Sequence, residues 1–118
     1  MVGLDCFEAG AEDLAGAAGI LLGTPARFGY MSGAMKDFLE RIYYSCLEAG
    51  LRLPYGLFVK GDTDTSGAVQ SVERIVSGLA WRRVLPVLEV VGETTEEQRR
   101  AAEELGAAFV AGVESGVF

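Results

Sequence analysis

The sequence contains no histidine. That absence excludes Ser-His-Asp and Cys-His catalytic arrangements, any zinc site with a histidine ligand, and an imidazole proton shuttle. Basic residues are scarce as well: 10 Lys and Arg stand against 17 Asp and Glu, a net charge of −7, with a pI near 4.5. Duplex nucleic acid calls for the opposite sign and is not an expected partner. The only two cysteines, Cys6 and Cys46, lie far apart, so they read as reduced thiols of a cytoplasmic protein. Long hydrophobic runs are also missing. The longest uncharged apolar stretch, Leu14 to Gly23, has ten residues, half of the roughly 20 that a membrane span needs. No membrane association is expected, and Met1-Val2-Gly3-Leu4-Asp5 lacks the basic start of a secretory signal. Any chemistry must therefore come from carboxylates, thiols, hydroxyls, backbone amides or a borrowed cofactor.

What is present fits one globular domain over residues 1–118, with half of its residues apolar. Glycine is in excess: 16 residues, where average usage gives about eight. That excess points to tight turns and close backbone approaches. Val2-Gly3-Leu4 reads as the end of a strand, and Glu8 to Ala18 as a helix rich in Ala, Glu and Leu. Gly19 to Gly23 is a short continuous apolar run closed by Thr24-Pro25, the form of a strand buried on both faces. Beyond the loop Thr24 to Ser32, residues Met35, Phe38, Leu39, Ile42, Tyr43 and Cys46 recur at helical steps. Lys36/Glu40 and Asp37/Arg41 pair on the other face, with Ser32 as the N-cap and Gly50 as the stop.

Tyr55 to Val59 is the next strand, followed by a polar loop from Lys60 to Gly67. Val69, Val72, Ile75, Val76 and Leu79 mark a helix, and Pro86 to Gly92 a strand. Thr94 and Glu97 form a capping box for a last helix that turns Ala101, Leu105, Ala108, Phe109, Gly112 and Val113 inward. Alternating strands and helices with near-continuous apolar strands predict an α/β fold, a parallel sheet with helices on both faces.

Ligands of open α/β sheets bind outside the carboxyl ends of the strands. Two loops hold that position. The first, Thr24-Pro25-Ala26-Arg27-Phe28-Gly29-Tyr30-Met31-Ser32-Gly33, offers two aromatics, an Arg and backbone amides before a helix N-terminus. It suits a flat, electron-rich ligand; equally, Phe28 and Tyr30 could plug the core and Arg27 be a solvated residue. The second, Gly61-Asp62-Thr63-Asp64-Thr65-Ser66-Gly67, admits a hard-cation reading of its Asp-x-Asp, and a reading as ordinary caps and turn residues. No residue is assigned a metal or directly catalytic role. Neither GxGxxG nor GxxxxGK[ST] occurs.

The stretch from Gly23 to Leu39, GTPARFGYMSGAMKDFL, resembles the flavin-ring loop and following helix of flavodoxin-like proteins. The likeness is greatest to the NAD(P)H:quinone oxidoreductase and NADPH-dependent FMN reductase branch. The resemblance implies a flavodoxin-like three-layer α/β/α domain that binds FMN at its strand ends. It further implies two-electron transfer from NAD(P)H to a quinone or flavin acceptor. Thr24, Pro25, Ala26, Arg27, Phe28, Gly29 and Tyr30 would line the ring, and Gly61, Asp62, Thr63 and Asp64 would approach from the second loop. Small-molecule electron donor and acceptor are then the partners, with a homo-oligomer expected. The alternative is a non-catalytic flavodoxin-like shell serving as an oligomerisation or protein-binding module. A receiver-type phospho-acceptor domain shares the architecture but needs an acidic cluster after a first strand.

Three departures from the family pattern stand out. Tyr30 occupies a position where many relatives carry Asn. Asp62 and Asp64 make the second loop acidic, which disfavours a reduced flavin anion and a pyrophosphate-bearing nicotinamide. Finally, the sheet is incomplete: the third, fourth and fifth strands of an order 2-1-3-4-5 are present, with Val2 to Leu4 as a remnant of the second. Five strands and their helices want roughly 150 residues, at about 30 per βαβ unit. The expectation is an N-terminally truncated domain without the first strand and its phosphate loop. Losing several charge-assisted phosphate bonds, at about 1.5–3 kcal/mol each, weakens FMN binding by orders of magnitude.

Overall fold

Leu21, Leu57, Val59 and their neighbours have the β-branched and large apolar side chains that pack well on a pleated surface, and they form the centre of a twisted, mainly parallel sheet. The computed structural model describes residues 2–118. The strands are β1 (Ile20–Arg27), β2 (Tyr30–Met31), β3 (Pro54–Gly61), β4 (Arg82–Arg83) and β5 (Leu88–Val91). The helices are α1 (Ala11–Leu14), α2 (Gly33–Ala49), α3 (Ser66–Gly78) and α4 (Glu96–Glu114). β1 runs parallel to β3 from Ile20↔Tyr55 to Pro25↔Lys60. β3 then pairs in parallel with β4 at its start and with β5 at its end. A small antiparallel hairpin joins β1 to β2.

The register divides the side chains into two layers. Leu22, Thr24, Tyr55, Leu57 and Val59 share the face covered by α2 and α3. Among the described residues, that layer holds the buried apolar side chains other than Val90 and Phe109. Leu21, Gly23, Gly56, Phe58 and Val90 share the opposite face, where α4 lays Phe109 against Gly19 and Gly56. A Cβ at Gly19 would lie 3.0 Å from the Phe109 ring, so that glycine permits the helix its close approach. The first layer is full, and the second is half covered.

The amphipathic helices form where their periodicity places them. Met35, Phe38, Leu39, Ile42 and Cys46 are buried along α2, and Ser32 caps it by accepting a bond from the Met35 amide at 3.1 Å. Lys36–Glu40 and Asp37–Arg41 pair on its outer face at 2.6 and 2.8 Å. Other expectations need correction. Val2 to Leu4 forms no strand; it is exposed, with no neighbouring strand to accept its backbone bonds. The helix expected over Glu8 to Ala18 shrinks to the single turn of α1, because Gly10 and Gly16 bracket it and only Leu14 is buried. The last strand begins at Leu88, two residues after Pro86. The α4 capping box sits one residue later than expected: Thr95 caps and Gln98 reciprocates, at 3.2 and 2.9 Å. Ala108, expected inward, is exposed on α4.

The sheet is incomplete. Over Ile20–Pro25, β1 pairs only with β3, and among the described residues no strand lies along its other edge. No helix of the described residues is long and apolar enough to cross a membrane.

Candidate functional site

The segment expected as a loop from Thr24 to Ser32 is ordered backbone. β1 continues through Thr24, Pro25, Ala26 and Arg27, turns at Phe28-Gly29 and returns as Tyr30–Met31. Arg27↔Tyr30 flank a two-residue turn in which Phe28 and Gly29 both have positive φ, 52° and 72°. Two successive positive φ values match a type I′ hairpin, whose twist suits the flanking strands. Gly29 adopts this freely. Phe28 does not: a bulky residue held there is strained by about 1–3 kcal/mol. Its ring is also fully exposed. The core-plug reading of Phe28 is thereby excluded, and the strain is not offset by burial.

The hairpin is pinned from three directions. Met31 N–H donates to Ser71 Oγ at 3.0 Å, within the buried face of α3. Thr24 Oγ1 accepts from Ser32 N–H at 3.0 Å and donates to the Pro25 carbonyl at 2.8 Å. The Gly29 carbonyl rests against Gly67, in the first turn of α3, where an added Cβ would come within 2.1 Å of that oxygen. The Thr24 hydroxyl is thus engaged inside the protein, while Arg27, Phe28, Gly29 and Tyr30 face outward. Arg27 is exposed and donates to the Ala26 carbonyl at 3.3 Å.

The second loop lies beside the first. Gly61 is buried, and a Cβ there would stand 3.1 Å from Ala26 Cβ, the Asp64 carbonyl and Thr65 Cγ2. Asp62, Thr63 and Asp64 are exposed. Asp64 accepts from the Ser66 amide and hydroxyl at 2.9–3.0 Å, and these bonds, the backbone one foremost, hold its carboxyl below the usual value of 3.8. It is a turn and helix-start residue. Among the described residues no cluster of three or more potential ligands could hold a metal.

Four residues hold the two loops together: Thr65 and Gly67 at the end of the second loop, and Ser71 and Glu89, which were not singled out from sequence. Thr65 Oγ1 donates to Glu89 Oε1 at 2.7 Å, and the Gly92 amide donates to the Gly61 carbonyl at 2.8 Å, tying the end of β5 to the second loop. Two of the four carried a signal. Ser71 is a hydroxyl within an apolar stripe, and Glu89 is a lone charge in the run from Pro86 to Gly92. A cavity of about 670 Å³ lies along the unpaired edge of β1.

The fold and its strand-end hairpin define a flavodoxin-like domain. An archaeal flavodoxin superposes with a TM-score of 0.78 at 15% identity, over 92% of this chain and 74% of its own. A cysteine-to-serine mutant of the Pseudomonas aeruginosa flavodoxin gives 0.69 at 25% identity, over 94% and 77%. No protein-family model matches the chain. In sequence it is 56% identical over 34 residues to an NAD(P)H dehydrogenase (quinone) from Acidithiobacillus ferrooxidans. That stretch is 29% of this chain and 17% of the relative's length.

Proposed function

We propose that the paired strand-end loops bind FMN by its ring, as part of an oxidoreductase that passes two electrons from NAD(P)H to a quinone or a free flavin. The observation that carries this reading is Phe28: a strained, fully exposed aromatic at the tip of a hairpin that three separate contacts hold rigid. A backbone so constrained costs stability, which selects for a use at the surface rather than in the core. The short match to a quinone dehydrogenase supports the same reading.

The residues present fit the ring end of the cofactor. Phe28 and Tyr30 offer aromatic surface, Arg27 a cation, and the hairpin and the Asp62–Asp64 loop exposed backbone at one sheet end. Bound flavin would supply the hydride-accepting redox chemistry. The chain's part is to orient the ring, shield one face and set the local charge. Asp62 and Asp64 would place negative charge beside the ring and favour its oxidised form, and Arg27 would oppose them. The phosphate end fits less well, because the charged residues of the cavity beside β1 are Asp5, Asp13 and Glu114, all acidic. Riboflavin is therefore expected to bind about as tightly as FMN. Quenching of flavin fluorescence by the purified protein, lost on Phe28→Ala, tests the reading.

The unpaired β1 edge favours a second reading, a flavodoxin-like shell that binds a protein and not a flavin. Protein that leaves flavin fluorescence unchanged would support it.

A further inference from the structure

Lys60 stands between two residues of the ring site. It precedes Gly61 in the chain, and the parallel register sets it opposite Pro25 on β1 and Val90 on β5. Pro25, Lys60 and Val90 therefore point to the sheet face opposite that of Leu57 and Val59. The two loops are tied to the α3 side: Met31 is bonded to Ser71, the Gly29 carbonyl rests on Gly67, and Thr65 precedes α3. Lys60 points to the face that takes no part in those contacts. Its side chain is half-buried, yet among the described residues it enters no ion pair. Two nearby carboxylates are committed elsewhere. Glu89 accepts from Thr65 on the other face, and Asp64 accepts from Ser66.

An ammonium drawn partly out of water without a counter-ion loses hydration and gains nothing in return. A negative charge that arises on a ligand beside it offsets that loss. The flavin ring gains such a charge when it is reduced. Hydride transfer from the nicotinamide breaks a C–H bond there and forms the N5–H bond of the flavin, oxidising the one and reducing the other. One negative charge is left at the ring's N1 and C2 carbonyl. Lys60 does not line the acidic cavity beyond β1, so its place between Pro25 and Gly61 is at the ring and away from that cavity. On the basis of the flavin reading above, we propose that Lys60 faces the N1 and C2-carbonyl edge of the ring and stabilises the charge gained on reduction. It thereby raises the potential of the bound flavin, against the pull of Asp62.

The test compares the full chain with Lys60→Met and Lys60→Gln, which remove the charge, and with Lys60→Arg, which keeps it. Oxidised FMN and riboflavin should bind all four proteins alike, within about twofold by fluorescence quenching. The midpoint potential of the bound flavin, read against a redox dye, separates them. Both neutral variants should favour the oxidised form about tenfold, a fall of about 30 mV for a two-electron couple. Lys60→Arg should stay close to the unaltered protein. The fall should be the same with FMN as with riboflavin, because the charge is on the ring. A fall confined to FMN would overturn the assignment by placing Lys60 at the phosphate. An unchanged potential in the neutral variants would overturn it too, as would an equal fall in Lys60→Arg; a lysine whose stem only covers Val90 gives the first of these. All three results leave the flavin reading intact. Unaltered protein that quenches neither flavin would instead overturn that reading and the role of Lys60 together.

Discussion

At the scale of single residues, the hairpin tip sets stability against use. Phe28 sits at φ 52° with its ring in solvent, so Phe28→Asn relieves strain without opening a cavity. The expected result is a protein more stable by about 1 kcal/mol in urea unfolding, followed by the buried Trp81, and weaker in flavin binding. Gly67 is the reverse case. A methyl there meets the Gly29 carbonyl, and Gly67→Ala should destabilise the fold by about 1–3 kcal/mol while displacing the hairpin. The carboxyls of Asp5 and Asp64 are both held low, each chiefly by a backbone amide. A folded-state value below the unfolded one contributes stability above the unfolded value of 3.8, and that contribution disappears as pH falls through the folded value. Acid unfolding should therefore steepen below about pH 4, and Asp64→Asn should flatten that limb of a stability-versus-pH curve. Of the candidate residues, Arg27 and Phe28 were legible as surface groups only by their motif. Nothing in composition separates an exposed aromatic from a buried one; the turn geometry does.

At the scale of elements, each long helix stops in the same way. The residue after the last turn is left-handed, and crossed bonds run back to the final carbonyls: Leu51 to Cys46, Trp81 to Val76 and Val117 to Gly112. Gly50 and Gly116 take that conformation after α2 and α4, whereas Ala80 takes it after α3, at φ 59°. Ala80→Gly should stabilise the protein by about 1 kcal/mol, readable as a rise in Tm. Ser32→Ala, which removes the α2 cap, should cost about 1 kcal/mol by the same measurement. Helices were the legible elements, since α2 repeats its apolar residues over 17 positions and carries its own start and stop. β1 was harder. Thr24, Pro25 and Arg27 look like loop residues, yet the strand runs through them because β3 and β2 supply partners that a local reading does not contain. The expected strand at Val2 to Leu4 failed for the complementary reason: no neighbour pairs with it. Thr94 and Thr95 were equally good caps locally, and the choice went to the one with Gln98 three residues on.

At the scale of the whole molecule, the sequence order of alternating strands and helices was enough to give a parallel sheet with a layer on each face. It was not enough to show how unevenly those layers are filled. α2 and α3 bury one face, while Val90 and Phe109 are the buried residues of the other. The edge of β1 over Ile20–Pro25 is open for a separate reason: among the described residues no strand pairs along it. At the strand ends, exposed Arg27 is the hairpin's cation, and Asp62 and Asp64 of the neighbouring loop oppose it. Asp62→Asn should accordingly raise the midpoint potential of bound flavin, measured by equilibration with a redox dye.

The central claim is that the strained hairpin holds a flavin ring, and a fluorescence titration tests it directly. Purified protein added to FMN, and separately to riboflavin, should quench both with dissociation constants on the order of tens of micromolar or tighter. The two should agree within about threefold, and Phe28→Ala should abolish the quenching in each. Unchanged fluorescence of both flavins at those concentrations, with the protein folded by its tryptophan emission, would contradict the account.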